Sequence, residues 1–106
     1  MTKSKIETYI GFAMRANKYR LGVNSINTLK KVKLLLLCET SAKNTRIEAV
    51  KLSKKFHCQI ILSKGKTIEE ITGKELCKLM AITDASLAKA ILDNLDNNFI
   101  PFNLEA

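Results

Sequence analysis

Lys18 and Arg20 stand just before Gly22, Asn24 and Ser25, and Lys30, Lys31 and Lys33 follow within ten residues. Cations grouped around a glycine and a side-chain amide suit the holding of a polyanion better than the making or breaking of bonds. A short extended piece that turns into a helix at Gly22–Asn24 presents unpaired backbone N–H groups and the positive end of a helix dipole. Asn24 is a good N-cap, and its amide could equally meet a base edge. With basic side chains on both sides, the stretch reads as a cradle for RNA or another polyanion.

The remaining reactive residue types form no catalytic set. His57 is the single histidine, and no Ser, Cys or Asp is spaced to pair with it; a structural or surface role is its default. Cys38 and Cys58 fall in apolar runs, where burial is the ordinary fate of a thiol. Cys77 falls in a loop, with no clear activating base nearby. The three cysteines are odd in number, and no CxxC occurs. That argues against a disulfide framework or a zinc site and fits a reducing, cytoplasmic setting. Glu69 and Glu70 are adjacent and cannot share a helix face. There is no P-loop and no GxGxxG. The reading is therefore of a protein without catalysis, cofactor, metal or small-molecule substrate.

Charge is distributed unevenly. The 106 residues carry a net +8, with +7 in residues 1–33, +5 in residues 34–66 and −4 in residues 67–106. A chain so lopsided should carry a basic face, for which nucleic acid is the leading partner and an anionic membrane the weaker one. No apolar run approaches the roughly 20 residues of a membrane span. The opening residues lack the apolar stretch of a secretory signal. The length suits one compact domain, expected as a monomer.

Periodicity supplies the elements that must position these residues. Ile6, Tyr9, Ile10, Ala13 and Met14 make one face of a helix over residues 3–16, ended by Asn17 and Lys18. Tyr19, Arg20 and Leu21 should be extended. A second helix is expected over residues 24–31, burying Ile26 and Leu29. Residues 32–38 form a continuous apolar run that reads as a buried strand. A third helix should reach Phe56 with Ile47, Ala49, Val50 and Phe56 inward and Lys43, Arg46, Lys51, Lys54 and Lys55 on its outer side. Residues 58–62 are β-like. Thr67 and Glu70 read as a capping box before a short helix stopped by Gly73. Residues 79–83 are a last strand, and Asp84 or Ser86 caps a last helix bearing Leu87, Ala88, Ile91, Leu92 and Leu95. The alternation predicts an α/β fold, a three-layer α-β-α sandwich around a small mixed four-stranded sheet. Residues 1–95 form the domain, with an apolar, irregular tail over residues 96–106 packed on it.

The order of motifs adds a resemblance. Residues 10–18 (IGFAMRANK) are followed by Leu21-Gly22 and Asn24, the apolar strand, Glu39-Thr40-Ser41-Ala42-Lys43-Asn44-Thr45, Ile60-Ile61-Leu62, Gly73-Lys74-Glu75, and Ala81-Ile82-Thr83-Asp84 before Leu87-Ala88-Lys89. In register from residue 5 to about 95, this resembles the superfamily of kink-turn-binding ribosomal proteins, and most nearly its small bacterial YlxQ-like branch. The resemblance implies RNA binding without catalysis. The glycine–asparagine helix start would sit in the groove beside sheared G·A pairs, with Gly22 and Asn24 matching it. A loop before the last strand, here Leu76-Cys77-Lys78-Leu79, would pack on an extruded nucleotide. A sharply bent RNA exposes groove edges that a regular A-form helix hides. Two positions depart from the pattern: Ser25 stands where a glutamate is usual, and Thr28 where a lysine is common. Ser25 can donate and accept but cannot reproduce a carboxylate's pairing with guanine. Thr28 removes a phosphate-seeking charge that Lys30 or Lys31, the latter two helical turns from Asn24, would have to replace.

The expected function is recognition of structured, kink-turn-like RNA, ribosomal RNA included. The alternative is a protein-interaction adaptor on the same fold, with a degraded RNA site and Phe99 and Phe102 offered to a partner.

Overall fold

The computed structural model describes residues 5–64, 68–73 and 78–102. In chain order the elements are α1 (Lys5–Arg15), β1 (Tyr19–Leu21), α2 (Val23–Asn27), β2 (Leu34–Cys38), α3 (Lys43–Phe56), β3 (Gln59–Ser63), α4 (Ile68–Thr72), β4 (Leu79–Ile82), α5 (Ala85–Leu92) and β5 (Phe99–Pro101). The sheet runs β1-β4-β2-β3-β5. Only the β2–β3 pair is parallel, joined through α3; β1–β4, β2–β4 and β3–β5 are antiparallel.

The uninterrupted Leu34–Leu37 run follows from the position of β2. It lies between β4 and β3 and is covered on both faces, so all five of its residues are buried. Alternation then divides the core into two layers. Leu34, Leu36, Cys38, Ile61, Met80 and Ile82 meet Ile6, Ile10 and Ala13 of α1 and Ala88 and Ile91 of α5. Leu35, Leu37, Ile60, Leu79 and Ala81 meet Ile26 of α2 and Ala49 and Leu52 of α3. Helices thus cover both faces of a mixed sheet.

The sheet has five strands where four were expected. Phe99 is 1% exposed and anchors the tail in the α1/α5 layer. Ile61, Leu62 and Ser63 pair with Pro101, Ile100 and Phe99, and the Phe102 N–H donates to the Ile60 carbonyl at 2.9 Å. Two turn bonds aim the strand: the Asn98 N–H donates to Asp96 Oδ1, and the Phe99 N–H donates to the Asp96 carbonyl. Pro101 is tolerable because β5 is an edge strand, where a missing N–H costs no ladder bond. Three residues are too short for a periodic signal, which is why the tail looked irregular.

Local signals place several ends as expected. Asn17 adopts φ 57° and closes α1, with the Lys18 N–H reaching the Ala13 carbonyl at 2.8 Å. His57, at φ 54° and ψ 47°, is the left-handed C-cap of α3. The lone histidine is thus an exposed helix terminator. Asp84 caps α5 by accepting from the Leu87 N–H at 2.9 Å. Gly73, at φ +74°, follows α4, and its N–H donates to the Glu69 carbonyl. Thr67, the expected hydroxyl of the capping box, lies outside the described residues. Leu52 is the inward residue of α3 that the sequence reading omitted; Ile47, Val50 and Phe56 are half-buried.

Candidate nucleic-acid interface

Helix α2 differs from its expected form at both ends. It begins one residue early, with Gly22 rather than Asn24 as N-cap, and Gly22 stands at φ +85°, a conformation L side chains rarely adopt. The Gly22 N–H donates to the Leu79 carbonyl at 3.0 Å, which docks the start of α2 on the start of β4. Asn24 is therefore in the first helical turn, exposed, and its amide makes no hydrogen bond to any described residue. The helix stops at Asn27. The Thr28 N–H and Oγ1 both return to the Ser25 carbonyl, at 3.3 and 2.7 Å, and the Leu29 N–H returns to the Ile26 carbonyl. A threonine hydroxyl competing for a nearby carbonyl favours this tight end over another turn. Thr28 thus spends its hydroxyl on the helix end.

These changes sort the expected site residues. Gly22, Asn24 and Ser25 gather at the sheet end that carries Lys78 and Leu79. The Cys38 N–H donates to the Lys78 carbonyl at 2.9 Å, so the end of β2 lies there too. Leu79 supplies a carbonyl only, because its side chain is 1% exposed and sits in the α2/α3 layer. The Lys78 ammonium is held between Glu69 Oε1 at 2.6 Å and Thr40 Oγ1 at 3.0 Å. The hydrogen bond to Glu69 raises the Lys78 pKa above its ordinary 10.5. Leu76 and Cys77 lie outside the described residues.

The structure does not bring Lys18 and Lys31 to this end. Lys18 precedes β1, and its carbonyl accepts from the Thr83 N–H, past the opposite end of β4. Four residue steps along the extended chain separate it from Gly22, roughly 13 Å. Lys31 lies beyond the stopped helix, just before Val32 enters the core and the Lys33 N–H binds the Ile82 carbonyl at that same far end. The two-turn helical path from Asn24 to Lys31 does not exist, because α2 ends at Asn27. Arg20 lies between the two ends. Alternation with Tyr19 and Leu21, which pack in the α1/α5 layer, puts it on the α2/α3 face, exposed.

Two cations come from an element the site reading left out. Between α2 and α3 lies a cleft of about 470 Å³ lined by Val23, Asn24, Asn27, Glu48, Lys51, Leu52 and Lys55. Lys55 Nζ donates to the Asn27 carbonyl at 3.0 Å and to Asn27 Oδ1 at 2.9 Å. Lys51 Nζ stands 3.6 Å from Glu48, both side chains well exposed. The basic outer side of α3 was legible in the sequence except at Arg46, which is half-buried and donates to the Ser41 hydroxyl and the Glu39 carbonyl. Its contact with α2 was not, because Asn27 and Lys55 are 28 residues apart.

Among the described residues no cluster of three or more His, Cys, Asp or Glu could hold a metal ion, and no helix is long and apolar enough to cross a membrane. Burial pushes the Cys58 thiol up from its ordinary 9.0 to about 11, with a backbone hydrogen bond pulling weakly the other way. A thiol so raised is a poor nucleophile near neutral pH.

No family model matches the chain, and no curated protein matches it. A solved structure does: a protein of unknown function from Bacillus halodurans, 16% identical, with a TM-score of 0.72 over 86% of this chain and 96% of that one. At that identity the likeness extends to the fold.

Proposed function

We propose that this protein is a non-catalytic RNA-binding protein of the kink-turn-binding ribosomal superfamily, recognising structured, kink-turn-like RNA. One observation carries the reading. Asn24 offers an uncommitted amide at the mouth of a cleft whose far wall bears Lys51 and Lys55. An amide can read a base edge while neighbouring ammonium groups hold phosphates, which is the division of labour RNA recognition needs. The net charge of +8 supports it. So does the position of Gly22, which lets the backbone turn sharply between β1 and the exposed first turn of α2. Ser25, exposed beside Asn24, offers a hydroxyl that can donate and accept in place of the carboxylate usual in the resembling family. The first RNA to try is ribosomal, and the protein works as a cytoplasmic monomer on this reading.

The adaptor alternative draws less support, because its two candidate contacts are partly or wholly covered. Phe99 is inside the core, and Phe102 packs against the α2/α3 layer. Phe12, 44% exposed, lies on α1 on the opposite face, with the Arg15 guanidinium 5.1 Å from its ring.

The test is a titration against a kink-turn RNA and a straight duplex of equal length, at two salt concentrations. A preference for the kink-turn that disappears in Asn24→Ala supports the reading. Weak binding that ignores RNA shape reduces it to a general RNA-binding surface. No binding even at low salt refutes it.

A further inference from the structure

Helix α2 has the sequence Val23-Asn24-Ser25-Ile26-Asn27 and carries no charged side chain. A phosphate beside Asn24 therefore finds no cation on the helix that presents Asn24. Lys18 and Lys31 are at the other end of the sheet, Lys78 is engaged by Glu69 and Thr40, and the Arg20 guanidinium donates to the Tyr19 carbonyl at 3.1 Å. The ammonium that reaches the exposed side of α2 is that of Lys55, from α3.

We propose that Lys55, gripped by Asn27, is the phosphate contact of this site, and that the RNA strand meeting Asn24 lays its phosphodiester backbone in the α2–α3 cleft. The inference rests on the RNA-binding reading and names the residues that give it affinity. Asn27 is one helical turn after Asn24, at the i, i+3 spacing that puts two side chains on one face. Its two oxygens take two of the three ammonium donors of Lys55, at 2.9 and 3.0 Å, and leave one for a ligand. A free lysine side chain loses much rotamer entropy on binding. Lys55 is already placed, so that loss is reduced before the ligand arrives. Asn27 is thus a positioning residue and Lys55 the contact.

The cleft suits such a strand in size and charge. Its volume of about 470 Å³ is large enough for a small ligand group. Lys51 lines the same wall one turn before Lys55. Its pairing with Glu48 at 3.6 Å is loose and exposed, so a phosphate can displace the carboxylate. Glu48 faces the cleft as well and leaves it with a surplus of one positive charge among its lining side chains. That surplus is enough for one phosphate and sets which way the strand lies, away from Glu48 and toward Lys55.

The experiment is equilibrium binding of the full chain to a kink-turn RNA across a salt series. The variants are Lys55→Gln, Lys55→Arg, Asn27→Ala, the Asn27→Ala/Lys55→Gln double variant, and Lys89→Gln as a control on the opposite face. Lys55→Gln is expected to weaken binding and flatten the log K against log salt slope by about 0.7–0.9, the loss of one phosphate contact. Lys55→Arg should restore the slope. Asn27→Ala should weaken binding only while Lys55 is present, so the double variant should match Lys55→Gln alone. If Lys55→Gln behaves like Lys89→Gln while the parent protein binds RNA, this inference is wrong and the RNA-binding reading stands. If the Asn27 and Lys55 effects simply add, Lys55 is a contact but Asn27 does not position it. If the parent protein does not bind at low salt, the RNA-binding reading fails and takes this inference with it.

Discussion

Helices α3 and α5 lie on opposite faces of the same sheet and treat charge differently. In 14 residues, α3 carries Lys43, Arg46, Lys51, Lys54 and Lys55 against a single Glu48. On the other face, Lys5, Arg15 and Lys89 of α1 and α5 are offset by Glu7, Glu69 and Glu70 of α1 and α4. Lys89 is further tied to Asp93 at 2.8 Å, which raises its pKa. Both faces bury aliphatic side chains of similar kind, so packing does not distinguish them. What differs is the outer side: close to neutral over α1, α4 and α5, strongly basic over α3. On the proposed function, it is the basic outer side of α3 that meets an anionic partner.

Six variants break or sharpen this contrast. The largest effect should be the least discriminating. Leu35→Ala on the α2/α3 side and Leu36→Ala on the α1/α5 side should each cost about 2–5 kcal/mol, read by urea denaturation. Both residues are fully buried in the central strand. A much smaller cost on one side would mean that the faces differ in packing after all. Next comes Asn24→Ala, which should remove about 1–3 kcal/mol of preference for bent over straight RNA, by analogy with base readout. Lys54→Ala should weaken both RNAs equally, if at all. Equal effects of the two variants on every RNA would dissolve the distinction between reading and holding.

Asp84→Ala should lower stability by about 1 kcal/mol through loss of the α5 cap, with RNA binding unchanged. A loss of RNA affinity in that variant, measured below its melting transition, would show that the α5 face takes part. Glu48→Gln should act in the opposite sense and least of all. Removing the one carboxylate of α3 should tighten RNA binding by less than about 1 kcal/mol, most visibly at low salt. Weaker binding would mean that Glu48 itself meets the RNA.

Much of this was readable from neighbouring residues. The stripe Ile6, Ile10, Ala13, the apolar run through Leu34 and Leu37, and the Asp84 cap are short-range patterns that fold as they read. Elsewhere the local reading failed where distant contacts intervene. Asn24 is as good an N-cap as Gly22 by residue type, but the Gly22 N–H finds the Leu79 carbonyl and its backbone can take φ +85°. The helical pattern of residues 24–31 continues in sequence, yet Thr28 closes on Ser25 and Val32 is drawn into the core. Lys18 and Lys31 look close to Asn24 in sequence and sit at the far end of the sheet.

The sequence by itself determined that helices and strands alternate, most of the side chains that are buried, and that positive charge collects in residues 1–66. Those follow from periodicity and composition, which act over a few residues at a time. Only the tertiary structure decided that Phe99 completes the sheet as a fifth strand and that Lys55 crosses 28 residues to Asn27. It also decided that Asn24 opens onto a cleft rather than capping its helix. Edge pairing and an ammonium's choice of carbonyl depend on which surfaces the packed core leaves side by side, and no local pattern carries that information.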